Sequence, residues 1–505
     1  MTAIYDAYKP LRNYLRTCDL SASLVDTWRL SQHVVEGAPP PNRVDLPDYT
    51  VQGQVFPWDL PSIAREVVLH AQDGGRNRLN SLTAIAKVVN PLRRSGNEGS
   101  KLRLLQPDDI FDELLRISHQ QFPWQQRNTA NALIRHLKTF GSPRIAPLLQ
   151  QKTGLTAKEF FFLGLALSGH LSRRWDINAD QDYAHFGITR DQAMSFFGRL
   201  ALPVAELKKR LSADHAIDAR WDFIWNALEA TPLIALDPSH PNRLHCPVPA
   251  LLLRRFSGGL YYDLIHVPAF GDAFGRAFED YIGEVIDASF PAQAYKSHEE
   301  VPYYVGKARH DGPDWIVSGE DANLFVECKT KRLTQLAKSE PGNVVMRDDI
   351  GKIADAIVQH YRNVLEAQQG LSKWTPNGLP CVPLVVTFED WFFLGPQMHG
   401  VLAEGVRDRL GRKGMDVNLP SVMPYAVMSA REFESCCGTI AAVGIKAFFE
   451  GKKEGEYAGW MWEDYSAKRF PGIKRVDLQA AFWRDWSDVI PAEAMPREWR
   501  APSSG

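Results

Sequence analysis

Between Gly312 and Leu333 the chain reads GPDWIVSGEDANLFVECKTKRL, and this stretch narrows the possible folds more than any other. Two short apolar runs, Trp315-Ile316-Val317 and Leu324-Phe325-Val326, flank a turn-forming series at residues 318 to 323, as in a β-hairpin with a longer loop. Charged residues therefore fall at strand positions. Asp314 opens the first strand after Pro313. Glu327 and Lys329 lie two apart on the second, so the strand period of two sends both to one face and Cys328 to the other.

Two carboxylates and an amine at one hairpin edge repel and attract in a way that calls for a cation between the acids. A divalent metal supplies it. Magnesium prefers hard oxygen ligands, typically one or two carboxylates with phosphate oxygens and water, and Asp314 and Glu327 suit it, with manganese as the alternative ion. The backbone carbonyl of Cys328 offers a further oxygen. Lys329 then orients or helps deprotonate a water, or counters charge that builds on phosphorus.

Pro313-Asp314 followed by Glu327-Cys328-Lys329 resembles the PD-(D/E)XK, or restriction-endonuclease-like, nuclease superfamily. That resemblance implies a core of a helix, a three-strand meander, a helix and a further strand. The surrounding sequence follows the same order. Phe274, Phe278, Tyr281, Ile282 and Val285 form a helical stripe, with Glu279 beside it as the match for the family's helix-borne acid and Glu284 as its substitute. Residues 294 to 295 and 301 to 305 supply the first meander strand. Residues 348 to 368 read as an amphipathic helix with Ile350, Ile353, Ala354, Ile357, Tyr361 and Leu365 inward, and residues 382 to 387 as a buried strand. Some exonuclease branches carry a Gln and a Tyr four apart on the helix after the motif. Here Gln359 is followed by Tyr361 and, four on, by Asn363, which argues against that branch.

A chain of 505 residues exceeds one core, so several domains are expected. Residues 1–250 read as a mainly helical domain for recognition or partner contact, with a break at residues 90 to 109. Thr156-x-x-Glu159 and Thr189-x-x-Gln192 are capping boxes that open helices there. Residues 251–450 carry the nuclease-like domain, and residues 451–505 a segment with Trp460, Trp462, Trp483, Trp486 and Trp499, expected to pack on the body or bind a partner. The fold class is therefore α+β to α/β, a helical N-terminal domain followed by an α-β-β-β-α-β core.

A net charge of −2 gives no global pull on nucleic acid, so binding must come from a local surface; Lys329, Lys331, Arg332 and Lys338 make a positive rim at the motif's exit. His310 is a further candidate for contact with substrate or water. The six cysteines lack zinc-ligand spacing and read as reduced thiols of a cytoplasmic protein, and no apolar run is long enough to span a bilayer. The resemblance implies a metal-dependent nuclease with Glu279, Asp314, Glu327 and Lys329 as its catalytic residues. Duplex DNA is the default substrate, RNA the alternative, a homodimer one route to double-strand cutting, and bacterial anti-phage defence or restriction a setting. A protein that keeps the fold and binds without cutting is the rival expectation.

Overall fold

Side chains that close helix ends set much of the first half of the chain. The Thr156 hydroxyl accepts from Glu159 N while the Glu159 carboxylate accepts from Thr156 N, and Thr189 and Gln192 repeat the exchange. Both capping boxes read from the sequence are thus formed. They open the helices Ala157–Leu171 and Arg190–Leu200, which bury Phe160, Phe161, Phe196 and Phe197. The computed structural model describes residues 2–38, 54–105, 109–125, 129–299, 301–340, 344–393, 395–453, 455–473, 476–482, 484–485 and 489. The protein is mixed α/β and mainly helical. Its described residues fall into two compact units, one within Met1–Glu113, Gln120–Gln126 and Ala146–Pro268, the other within Leu114–His119, Arg127–Ile145 and Ala269–Gly505.

In the first unit the helix Thr2–Leu15 packs along Leu82–Arg103, and Leu20–Glu36 packs on Asp59–His70. Tyr8, Leu11, Leu24, Ile63, Val67, Val88 and Trp221 share one core. The helix Leu82–Arg103 continues to Arg103, into the break expected at residues 90 to 109, in spite of Pro91, Gly96 and Gly99. Packing explains it. A Cβ on Gly99 would stand 3.3 Å from the Ala219 carbonyl oxygen, so the bare glycine lets that segment close in, and Arg103 then pairs with Glu113 at 2.6 Å and Asp222 at 3.1 Å. A small sheet completes the unit: β1 (Asp176–Asn178), β2 (Ala201–Pro203), β3 (Leu233–Ala235) and β4 (Arg243–His245), in the order β1-β4-β3-β2.

The second unit is built on a five-stranded mixed sheet. Its strands are β5 (Lys296–Glu299), β8 (Trp315–Ser318), β9 (Asn323–Lys329), β10 (Cys381–Thr387) and β11 (Ala426–Ser429), while β6 (Tyr303–Val305) and β7 (Ala308–His310) form a separate hairpin. The order is β11-β10-β9-β8-β5; β5, β8 and β9 run antiparallel in a meander, and β10 and β11 lie parallel to β9. The first meander strand is thus the polar segment Lys-Ser-His-Glu at residues 296 to 299, not residues 301 to 305. An edge strand pairs on one side only and needs little apolar character, while the apolar Tyr303 anchors the hairpin β6–β7. The helix Phe270–Ser289 buries Phe274, Phe278, Tyr281, Ile282 and Val285, as its stripe predicts. The helix Val344–Gln368 follows β9 and buries Ile350, Ile353, Ala354, Ile357 and Tyr361; Val364 is buried where the sequence reading favoured Leu365.

A helix from the first half of the chain, Thr129–Gly141, belongs to this second unit. Arg135 on it meets Glu434 at 2.8 Å, and the Tyr281 hydroxyl donates to the same carboxylate oxygen at 2.9 Å, all three residues buried. In the C-terminal segment Trp462 Nε1 donates to Val427 O at 2.8 Å, so it packs on the sheet, while Trp460 is partly exposed. Trp483, Trp486 and Trp499 lie outside the described residues. All six cysteines are free and buried. Among the described residues no helix is long and apolar enough to cross a membrane.

Candidate active site

Alternation along β9 places the acidic motif. Phe325 packs against Val364 and Ala367, on the face that carries the helix Val344–Gln368, and Glu327 and Lys329 follow it at the period of two. Lys329 Nζ donates to Glu327 Oε1 at 2.5 Å, so the pair expected to share a face does share it. Trp315 pairs with Val326 in the β8–β9 ladder, which sets Asp314 beside Glu327. Asp314 Oδ2 accepts from Cys328 N at 2.6 Å, so the Cys328 backbone lies against the carboxylate while its thiol is buried.

Glu279 arrives from the helix Phe270–Ser289. The indole of Trp315 donates to the Glu279 carbonyl oxygen at 2.9 Å and fixes that turn of helix to β8. Gly283 makes the approach possible: a Cβ there would stand 2.0 Å from the Trp315 ring. Glu279 also pairs loosely with Arg276, at 3.4 Å. Glu284, its substitute in the sequence reading, is instead bound to Lys138 at 2.5 Å.

Burial pushes Asp314 well above the usual carboxylate range, and the charges of Glu327 and Glu279 push it further, against the Cys328 N–H and Lys329. Burial likewise raises Glu279, opposed by Arg276 and reinforced by Glu327. For Lys329 burial acts downward, but the Glu327 carboxylate outweighs it and the ammonium is held above its ordinary value. Three acids therefore face one ammonium. Glu327 Oε2 is buried with no hydrogen-bond partner among the described residues, as a cation ligand would be before its ion binds. The trio is open rather than tight: the carboxylate oxygens of Glu279, Asp314 and Glu327 do not all lie within 4.8 Å of one another.

Residues around the motif depart from expectation in three ways. The positive rim is largely neutralised, since Lys331 pairs with Asp349 at 2.7 Å, and Arg332 and Lys338 pair with Glu389 at 3.0 and 3.5 Å. Acids on neighbouring elements reach the same cations, which one-dimensional reading of a basic cluster omits. His310 Nδ1 sits 2.7 Å from Glu366 Oε2, to which the Tyr303 hydroxyl also donates at 2.5 Å, so the two pin the hairpin β6–β7 to the helix Val344–Gln368. His360 joins the site unannounced. It is fully buried, its Nε2 lies 2.9 Å from Phe325 O, and its Nδ1 lies 3.7 Å from Glu327 Oε2; burial holds it below the ordinary imidazole value. Its signal was a polar residue three after Ile357 on an apolar stripe.

Compared with known proteins, the chain matches no family model, no curated protein and no solved structure.

Proposed function

We propose that the second unit is a metal-dependent nuclease of restriction-endonuclease-like fold that hydrolyses phosphodiester bonds, with DNA as substrate. The observation that carries this reading is Glu327, buried beside Asp314 and Lys329 with one carboxylate oxygen unsatisfied. The order of helix, antiparallel meander, helix and parallel strand supports it.

The donor set suits magnesium or manganese, being all oxygen and carrying excess negative charge. Asp314 and Glu327 would hold the ion, with the Cys328 carbonyl and Glu279 as further oxygens. When bound, it supplies Lewis acidity toward a phosphate oxygen and lowers the pKa of a bound water. The chain's own groups do the rest. The Cys328 N–H orients Asp314, and the Trp315 indole keeps the Glu279 turn against the strand. Lys329, held as an ammonium beside Glu327, would counter charge that builds on the phosphate, which favours electrostatic stabilisation over proton abstraction. His360 fixes the strand beneath Glu327 through Phe325 O.

The test is incubation of the full chain with supercoiled plasmid, linear duplex, single-stranded DNA and RNA, with magnesium, manganese or chelator, beside Glu327→Ala and Lys329→Ala. Metal-dependent cleavage of DNA that both variants lose supports the proposal. Cleavage of RNA alone reassigns the substrate, cleavage that survives both variants puts the active site elsewhere, and no cleavage of any substrate favours a protein that binds without cutting.

A further inference from the structure

The first unit holds a second ligand-bearing cluster, chemically unlike the acidic one. Glu66 and His70 lie four apart on the helix Asp59–His70 and so share a face, and His215 caps the helix Val204–Asp214. Among the described residues these three form the one group of three or more His, Cys, Asp or Glu whose ligand atoms all lie within 4.8 Å of one another. From the geometry we infer that Glu66, His70 and His215 form a binding site for a borderline divalent transition ion, zinc foremost.

Distances support it. Tetrahedral zinc with nitrogen and oxygen ligands separates neighbouring donors by about 3.3 Å. Here His70 Nε2 lies 3.5 Å from Glu66 Oε2, and His215 Nε2 lies 3.3 Å from Glu66 Oε1. Both imidazoles present Nε2 to the same carboxylate. The Tyr8 hydroxyl sits among them, 2.6 Å from Glu66 Oε2, 2.5 Å from His70 Nε2 and 3.4 Å from His215 Nε2, and holds the carboxylate and the imidazole together by hydrogen bonds, leaving the fourth position of a tetrahedral ion to water. A two-imidazole, one-carboxylate set suits zinc far better than magnesium, which avoids nitrogen.

The surroundings are those of a built site. Glu66 is fully buried, yet the side chains of His70 and His215 are 15% and 12% exposed, so an ion can enter from the imidazole side. Arg65 Nε donates to Glu66 Oε1 at 2.8 Å, the outer-shell hydrogen bond that ligating carboxylates usually have, while Oε2 faces His70 and Tyr8. Arg65 is itself buried over the ring of Trp221, which also meets Tyr8 edge to face. Glu66 and Tyr8 are thereby each held by a packed neighbour.

The experiment uses the full chain stripped of metal and titrated with zinc against a chromophoric chelator, then reconstituted with cobalt. One zinc per chain is expected, and His215→Ala and His70→Ala are expected to weaken it by more than about a hundredfold, since loss even of an outer-shell partner costs about 10–100-fold. Arg65→Met falls in that lower range. The cobalt-loaded wild-type chain is expected to show the visible absorption of a four-coordinate ion without thiolate charge transfer, a reading that needs no variant to fold. Zinc held equally well by His215→Ala, no stoichiometric binding, or cobalt bound through thiolate would each overturn the site.

Discussion

The two ligand-bearing clusters are made by opposite means. In the second unit Asp314, Glu327 and Lys329 come from adjacent strands of one meander, and a single helix turn adds Glu279. In the first unit Glu66, His70, His215 and Tyr8 come from three helical segments far apart in the chain. Strands deliver side chains at fixed two-residue intervals, so a short motif specifies a site almost by itself. Helices deliver them only once tertiary packing has chosen which faces meet. The chemistry divides along the same line, with hard, charge-dense carboxylates on the sheet and imidazoles gathered round one neutralised carboxylate among the helices.

The largest expected effect breaks the sheet site. Glu327→Ala or Lys329→Ala should lower metal-dependent cleavage by on the order of a thousandfold, the scale of removing a preorganised charge from a reaction centre. Single-turnover rates at saturating substrate check this.

Arg135→Met asks whether the helix Thr129–Gly141 supports the sheet unit as its contacts indicate. It leaves Glu434 buried without the cation that opposes its desolvation, and should cost about 3–5 kcal/mol, read from urea unfolding. Gly283→Ala sharpens the role of the Trp315 approach. Its methyl group meets the indole, so a loss of about 1–3 kcal/mol is expected together with slower cleavage as the Glu279 turn moves.

Acid should also act on the second unit. Burial lowers both His119 and His136 to about 3. An unfolded imidazole takes its proton near pH 6.5, so between there and pH 3 the unfolded chain binds more protons. Stability contributed by the neutral, partly buried rings is present above about pH 6.5 and falls as pH drops, by up to about 1.4 kcal/mol per pH unit for each ring. Melting temperatures from pH 8 to 4 should show the loss, and His136→Gln should flatten it. The smallest effect tests local signals in the first unit: Thr156→Ala removes a cap and should cost about 1 kcal/mol in thermal unfolding.

What the sequence discloses follows from the same contrast. The face shared by Glu327 and Lys329, the buried stripe around Glu279 and the capping boxes at Thr156 and Thr189 all depend on residues within a few positions of one another. The polar strand β5, the neutralisation of Lys331 and Lys338, and the place of Thr129–Gly141 depend on partners brought in by folding. Glu66 and His70 show a helical i, i+4 spacing in the sequence, but nothing local announces that Tyr8 and His215 close round them. His360 stood between the very residues weighed on its helix; only the β9 carbonyl it reaches gives it meaning.

The most direct measurement is manganese binding, followed by electron paramagnetic resonance, in the wild-type chain, Glu327→Gln and His215→Ala. A manganese ion is expected that magnesium displaces, that Glu327→Gln loses and that His215→Ala keeps. Manganese bound equally by Glu327→Gln would contradict that expectation.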